Sequence, residues 1–470
     1  MRLSYVALLI PLAACSGAAD NGPRSNLTPD QALAARTSCT FKAGTLPGLS
    51  LEKAAPLGKD IPIDTVVIIM FENRSFDHML GNLPNAGQTD VEVAPANAAN
   101  PSTAGTMVSR FHDTTYCFFD TNHEWTGSHL EWDNGKNDGF VVANERNSGG
   151  PPDGTRAMSF YTEADIPYFY GVASTFALAD HNFCSLLGPT FPNREYLYAA
   201  TSYGRTVNQL FQDQRATIFE SLSNNNVPWH VYFDGIPGFG VFLLEYTSNL
   251  DNTSRISDFM TDAAAGKLAA VTFVDPNLRD EYGGGNDFHP PGDVQIGEQF
   301  LQQTLTTLMQ SPQWPHMAVF ITFDENGGLY DHVPPPQACP PDDIDPMVEP
   351  GGTMAKFDRY GFRVPLLVVS PYSKPHSVSH AVYDHTSILR FIEARFKIPA
   401  LTARDANADP LFDMFDFTSP KLLAPPQLPA QSVDPAKAAA CASQYPLKGQ
   451  GGADMGVPDM AAPVDMTSTD

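Results

Sequence analysis

The sequence predicts an α/β layered fold with a parallel central sheet, on three observations. Short continuous apolar runs recur along the chain, each run ends on a polar residue, and stretches of helical apolar periodicity fall between or after them. Such runs suit strands buried on both faces, as a parallel sheet requires. Helices that cover those faces complete a layered architecture.

In order, the first run is Thr65–Phe71, which ends at Glu72. Trp229–Phe233 ends at Asp234, Ala270–Val274 at Asp275, Ala318–Phe323 at Asp324 and Val364–Val369 at Ser370. After Asp293, the residues Ile296, Phe300, Leu301, Leu305 and Leu308 share one helical face. Ile388, Leu389, Ile392 and Phe396 do the same after Asp384-His385-Thr386-Ser387, a start that offers several N-caps. In sheets of this kind ligands lie beyond the C-terminal strand ends, so the polar residues there are the first functional candidates.

The 470 residues suffice for one large domain or two ordinary ones. Residues 1–14 read as a lipoprotein signal peptide. Arg2 precedes an apolar stretch, Val6–Ala14, too short for the roughly 20 residues of a membrane span. Leu12-Ala13-Ala14-Cys15 resembles a lipobox, and Ser16 favours the outer membrane. The expectation is an exported envelope lipoprotein held to the membrane by an N-terminal lipid anchor, or a secreted protein if the signal is an ordinary one. Residues 15–55 read as a tether, 56–430 as one catalytic domain, and 431–470 as a tail without periodicity. Without Cys15, five cysteines remain (Cys39, Cys117, Cys184, Cys339 and Cys441), none in a C-x-x-C pair, so a zinc–thiolate cluster is not expected. An oxidising compartment would allow two disulfides and one free thiol, with the pairing open.

Against 53 acidic side chains stand 28 basic ones, a net charge of −25. That field repels nucleic acid and anionic headgroups, so no nucleic-acid partner is expected. A phosphate-ester substrate would need a local reversal of sign, most simply from a bound cation.

Glu72-Asn73 and Asp324-Glu325 end two of the strongest runs. If both strands are central, three carboxylates converge, and they cannot all stay ionised without a cation between them. Oxygen ligands of this kind favour one hard divalent ion such as Ca²⁺, Mg²⁺ or Mn²⁺; alternatively each pair caps its own turn. Thr190, in Gly188-Pro-Thr-Phe-Pro-Asn-Arg194, is either the N-cap of a helix beginning near Pro192 or a nucleophile at that helix's positive end. His123, His289 and His332 lie in polar loops, where imidazoles act as acids, bases or phosphate donors. Lys136 is a candidate phosphate contact. No G-x-S-x-G elbow is present, which argues against an α/β-hydrolase esterase.

Phe71-Glu-Asn-Arg-Ser-Phe-Asp-His78, Gly188–Arg194, His289-Pro-Pro291 and Thr322-Phe-Asp-Glu-Asn-Gly-Gly-Leu-Tyr-Asp-His-Val-Pro-Pro335 occur in this order. Together they resemble the bacterial phosphoesterase family of phospholipases C and acid phosphatases, over roughly residues 60 to 400. The resemblance implies a three-layer α/β/α sandwich with a mostly parallel sheet, alkaline-phosphatase-like. It implies one metal ion on Glu72, Asn73, Asp324 and Glu325, and a covalent phospho-threonine at Thr190. His123 and His289 would protonate the leaving group or hold phosphate oxygens, with Lys136 and His332 as further contacts. The chain departs from the family pattern at Asn137, where Met is usual, and at Asn326-Gly327-Gly328. Threonine at the nucleophile position resembles the phospholipases, so a phospholipid substrate is expected. The alternatives are an acid phosphatase acting on monoesters and a non-catalytic surface lipoprotein that binds phosphoryl ligands.

Overall fold

The computed structural model describes residues 22–146, 152–235, 237–278 and 285–445. The expected signal peptide and lipobox at residues 1–15 lie outside the described residues, as does the tail from residue 446. Eight strands form the main sheet: β1 (Thr65–Phe71), β2 (Ala177–Ala179), β3 (Trp229–Phe233), β4 (Thr253–Arg255), β5 (Val271–Asp275), β6 (Met317–Phe323), β7 (Leu366–Val369) and β8 (Ser377–Ser379). Their order is β8-β2-β7-β6-β1-β5-β3-β4. Every neighbouring pair is parallel except those made by β7, which runs against β6 and β2. The mostly parallel sheet expected from the apolar runs is therefore present.

The reversal of β7 follows from its connection. Residues 324–365 contain no α-helix to carry the chain across a face, so it re-enters the sheet from the end where β6 left it. β1 and β6, at the centre, are buried along their whole length. They pair in register from Thr65 opposite Met317 to Phe71 opposite Phe323.

Alternation along these strands divides the core between two faces. Val66, Ile68, Met70, Ala318 and Phe320 pack with the helices α4 (Thr190–Ala199), α5 (Ile218–Asn224) and α8 (His385–Phe396). Val67, Ile69, Phe71, Val319, Ile321 and Phe323 pack with α3 (Pro167–Thr175), α6 (Ile256–Ala265) and α7 (Val294–Gln310). The result is a three-layer α/β/α sandwich. Asp293 caps α7 by accepting from Gln295 N at 2.9 Å, and Asp384 is the N-cap residue of α8.

From residue 22 onward, the tether reading of 15–55 is corrected. Helix α1 (Pro29–Thr37) is closed by a Thr28–Gln31 capping box. Arg36 pairs with Asp409 at 3.1 Å, and Cys39 is bonded to Cys339. Leu51 and Ala55 join the core beside Leu57 and Ile61. The Ala/Gly/Ser-rich composition concealed these few anchors, which lack periodicity because they act one at a time. The tail reading is corrected likewise over 431–445, where α9 (Pro435–Gln444) carries a Cys117–Cys441 disulfide. Cys184 is a buried free thiol, which completes the open pairing as two disulfides and one thiol.

Candidate active site

Because β1 and β6 are adjacent, parallel and in register, Glu72-Asn73 and Asp324-Glu325 emerge side by side at the C-terminal ends of the two central strands, all four buried. The backbone ties the two turns together: Asp324 N donates to Phe71 O at 3.0 Å and Arg74 N to Glu325 O at 3.1 Å. Asp324 Oδ1 accepts from Asn73 N at 2.9 Å and from Glu325 N at 2.8 Å. Asn73 has a left-handed backbone, φ 57°, which Asn tolerates better than most residues. With its amide nitrogen turned to the carboxylates, it donates to Glu72 Oε2 at 3.1 Å and Glu325 Oε1 at 2.7 Å, while its oxygen accepts from His289 Nε2 at 2.9 Å. His123 Nε2 lies 3.4 Å from the same amide.

Glycine is required where the second turn crosses the first. A Cβ on Gly327, whose φ is +61°, would stand 2.2 Å from Asn73 O. Gly327→Ala is expected to cost about 1–3 kcal/mol from backbone strain and to displace Asn73. A thermal melt together with turnover checks this; unchanged values for both would contradict it.

Thr190 is not a cap. Helix α4 begins at Thr190 itself with Pro189 as N-cap, and the threonine hydroxyl faces Glu72 Oε2 at 3.5 Å. The preceding loop is pinned by Asn193, which donates to Gly188 O at 2.8 Å and accepts from Leu186 N at 3.1 Å. One turn along α4, buried Arg194 reaches Glu72 Oε1 at 2.6 Å and Asp324 Oδ2 at 3.6 Å. Behind the cluster, His385 Nε2 bonds Phe323 O at 3.0 Å. His123 Nδ1 bonds Thr121 O at 2.8 Å, which leaves Nε2 facing the amide of Asn73.

Burial and the neighbouring Glu72 push the Asp324 carboxyl up to about 7, against the pull of Arg194. Burial and Asp324 raise Glu325 well above the usual carboxylate range, although His123 opposes them. His123 itself resists charge through burial, yet Glu325 and Asp120 outweigh that and lift it to about 10. His289 is raised too, with Asp120 and Glu72 outweighing burial.

A divalent cation suits this donor set. Asp324 Oδ2 is buried with no hydrogen-bond partner among the described residues, and carboxylate oxygens are what a hard ion selects; the Asn73 amide, whose nitrogen otherwise faces Glu72 and Glu325, would turn its oxygen to the ion. Beside them Asp120, His123 and His289 present one ligand atom each within 4.8 Å of one another, a second candidate group of mixed oxygen and nitrogen. The sign of the pH dependence follows. An acid whose pKa is raised on folding contributes stability that is present below its unfolded value and lost as pH rises through the folded one. Chelated protein is therefore expected to lose up to a few kcal/mol between about pH 4 and pH 7 through Asp324. Added Ca²⁺, Mg²⁺ or Mn²⁺ should restore it at neutral pH and do little at pH 4, as melting curves with and without chelator would reveal.

Two sequence candidates stand apart from this cluster. Lys136 is exposed and pairs with Asp133. His332 belongs to a neighbouring network: its Nδ1 is 2.6 Å from Asp77 Oδ2, Asp77 pairs with Arg363 at 3.3 Å, and Arg363 pairs with Asp331 at 2.8 Å. Asn137 joins that network by donating to Asp331 O at 3.0 Å. Arg194 and Asp120 were missed as site residues. Arg194 is legible only as the residue one helical turn after Thr190, and Asp120 only as three residues before His123.

The profile of the phosphoesterase family matches residues 63–399, which span the whole cluster. Phospholipase C B of Mycobacterium tuberculosis is 32% identical over 460 residues, covering 85% of this chain and 86% of its own. Non-specific phospholipase C6 of Arabidopsis thaliana is 34% identical over 395 residues, covering 78% and 75%. Among solved structures, a protein of the alkaline phosphatase superfamily from Vibrio parahaemolyticus aligns over 70% of this chain and 77% of its own, at 11% identity and a TM-score of 0.36. This chain belongs to the phosphoesterase family and is a hydrolase of phosphoric ester bonds.

Proposed function

We propose that the chain is a metal-dependent, phospholipase C-type phosphoesterase that works through a covalent phospho-threonine at Thr190. The observation that carries this reading is the hydroxyl of Thr190, placed at the start of α4 and 3.5 Å from Glu72 beside the paired strand ends. Phosphoryl oxygens seated there would meet the positive end of the helix, although Phe191 N already donates to Asn208 Oδ1 at 2.8 Å and Pro192 carries no N–H. A divalent ion held by Glu72, Asn73, Asp324 and Glu325 would lower the hydroxyl's pKa and neutralise phosphoryl charge.

Thr190 Oγ attacks phosphorus and gives up its proton, for which Glu72 Oε2 is an acceptor in reach. The bond from phosphorus to the leaving oxygen breaks, and His123 or His289 supplies that oxygen's proton; both rings flank the Asn73 amide, His289 Nε2 at 2.9 Å and His123 Nε2 at 3.4 Å. Water then attacks the phospho-threonine, releasing the phosphorylated product and regenerating the hydroxyl.

A phospholipid substrate is supported by the names of the two relatives and by an acidic chain that disfavours anionic headgroups, which points to zwitterionic lipid. Export, with an N-terminal lipid anchor, is supported by the lipobox-like Cys15 and by two disulfides of the kind that persist in oxidising compartments. The test is turnover of phosphatidylcholine beside a panel of phosphomonoesters, with Ca²⁺, Mg²⁺ or Mn²⁺ supplied. Diacylglycerol and phosphocholine are the expected products. Phosphate release from monoesters alone would replace the phospholipase reading with an acid phosphatase.

A further inference from the structure

We propose that the disulfide-linked C-terminal helix α9 is a clamp that positions His123, so that turnover depends on the oxidised Cys117–Cys441 pair; this rests on the reading of His123 given above. Residues 113–123 contain no helix or strand, yet they carry Asp120, Thr121 and His123 into the site. A segment without its own backbone ladder takes its shape from whatever grips it.

Four grips come from α9 and the residue after it. Lys437 Nζ donates to Thr114 O at 2.8 Å and sits 3.8 Å from the Tyr116 ring centroid. Cys441 is bonded to Cys117, and Tyr445 meets Phe119 edge-on with centroids 4.9 Å apart. The start of α9 is anchored to α7, where Asp434 N donates to Gln295 Oε1 at 2.7 Å. At its far end the loop is tied to the second strand-end turn through Thr121 and Gly327 O. Close to His123 the loop is held as well by Arg156 at Asp120 O, by Asn144 and Ala143 at Asn122 and by Ser128 at His123 O. The clamp thus fixes residues 114–119, and the His123 Nδ1 bond to Thr121 O ties the ring to the loop they lead into.

Closing the clamp is a thiol–disulfide exchange. The two thiols of Cys117 and Cys441 lose their protons and two electrons to an exchanging disulfide, which leaves as two thiols. In a thiol-reducing environment the pair stays open and the loop loses its tether, so the hydrolase would be held at low activity until it reaches an oxidising one.

The other disulfide is the control. Cys39–Cys339 closes a loop of 300 residues and Cys117–Cys441 one of 324. Loop entropy grows only with the logarithm of length, so loss of either should lower the melting temperature by a similar amount. The experiment compares full-length wild type with Cys117→Ser/Cys441→Ser, Cys39→Ser/Cys339→Ser and His123→Asn, assayed well below every melting temperature. The first pair is expected to lose kcat by about 10²-fold with a displaced pH profile, and the second to keep wild-type kcat. Equal kcat losses in both pairs, or an unchanged kcat in the first, would overturn the clamp. Wild-type kcat in His123→Asn would instead remove the reading of His123, whatever the disulfide variants do. Should the first pair fail to fold, stepwise reduction of wild type with mass-spectrometric mapping replaces it. Activity must then fall with opening of Cys117–Cys441, and loss that tracks Cys39–Cys339 would refute the proposal.

Discussion

Thr190→Ala is expected to reduce phosphoester turnover on the order of 10⁴-fold or more, the scale of losing a covalent nucleophile, while leaving the melting temperature close to wild type. The two halves of that expectation come from the same geometry. An N-cap threonine replaced by alanine costs roughly 1 kcal/mol, but here Pro189 is the cap residue, and the Thr190 hydroxyl makes its hydrogen bond to Glu72 at a long 3.5 Å. Removing that hydroxyl deletes little that holds the fold. Thr190→Ser keeps an oxygen at the same place and should retain substantial turnover, slowed by the extra rotamer freedom of serine. Acid-quenched wild type should yield a phosphorylated peptide containing Thr190, absent from the alanine variant. Alanine-variant turnover near wild type would remove the covalent mechanism; a large loss of stability would show that the hydroxyl is structural after all.

Strand interiors were legible in the sequence where burial on both faces writes them as unbroken apolar runs. Thr65–Phe71 and Trp229–Phe233 coincide with β1 and β3, and the run at Ala318 differs from β6 by a single residue at its start. The short strands β2, β4 and β8, three residues each, carry no such signal. Of these, β4 and β8 form the two edges of the sheet, where polar residues such as Ser254 and Ser377 blunt further pairing. Polar strand ends were legible as candidates, but not their adjacency. That depends on β1 and β6 pairing across a long crossover, and only the ordered family motifs hinted at it.

Misplacements have local causes. Lys136 sits in a glycine- and asparagine-rich loop that looks like a phosphate contact, but Asp133, three residues earlier, takes its charge. His332 looked free in its loop because Asp77, its partner, lies far away in sequence, in the short helix α2 (Phe76–Leu80) that follows β1. The anchors of residues 22–55 were invisible because each of them, such as Cys39 on Cys339, is a single contact with a distant segment.

Arg194→Met is the second large expected effect, this time on stability. The guanidinium is buried and lies 2.6 Å from Glu72 and 3.6 Å from Asp324, so it supplies a permanent positive charge beneath the carboxylates. Methionine preserves much of the side chain's volume but leaves those acids without that counter-charge, and removing one partner of a buried pair costs about 3–5 kcal/mol. Two charges could substitute. Protonation is one, and Asp324 is already raised to about 7 with Arg194 in place, so the variant should be most stable in mild acid. A divalent ion at the same carboxylates is the other, and it should rescue the variant more strongly than it stabilises wild type, because binding to the folded state alone raises stability by mass action. Arg194→Lys keeps a charge but not the planar fork that spans Glu72 and Asp324, and should fall between the two. Melting temperatures across pH 4 to 8, with and without Ca²⁺, Mg²⁺ or Mn²⁺, separate the outcomes. Rescue by cation would tie Arg194 electrostatically to the metal-binding carboxylates. Destabilisation that neither acid nor cation relieves would mean that Arg194 acts through packing and its bonds to the Met70 and Phe71 carbonyls instead.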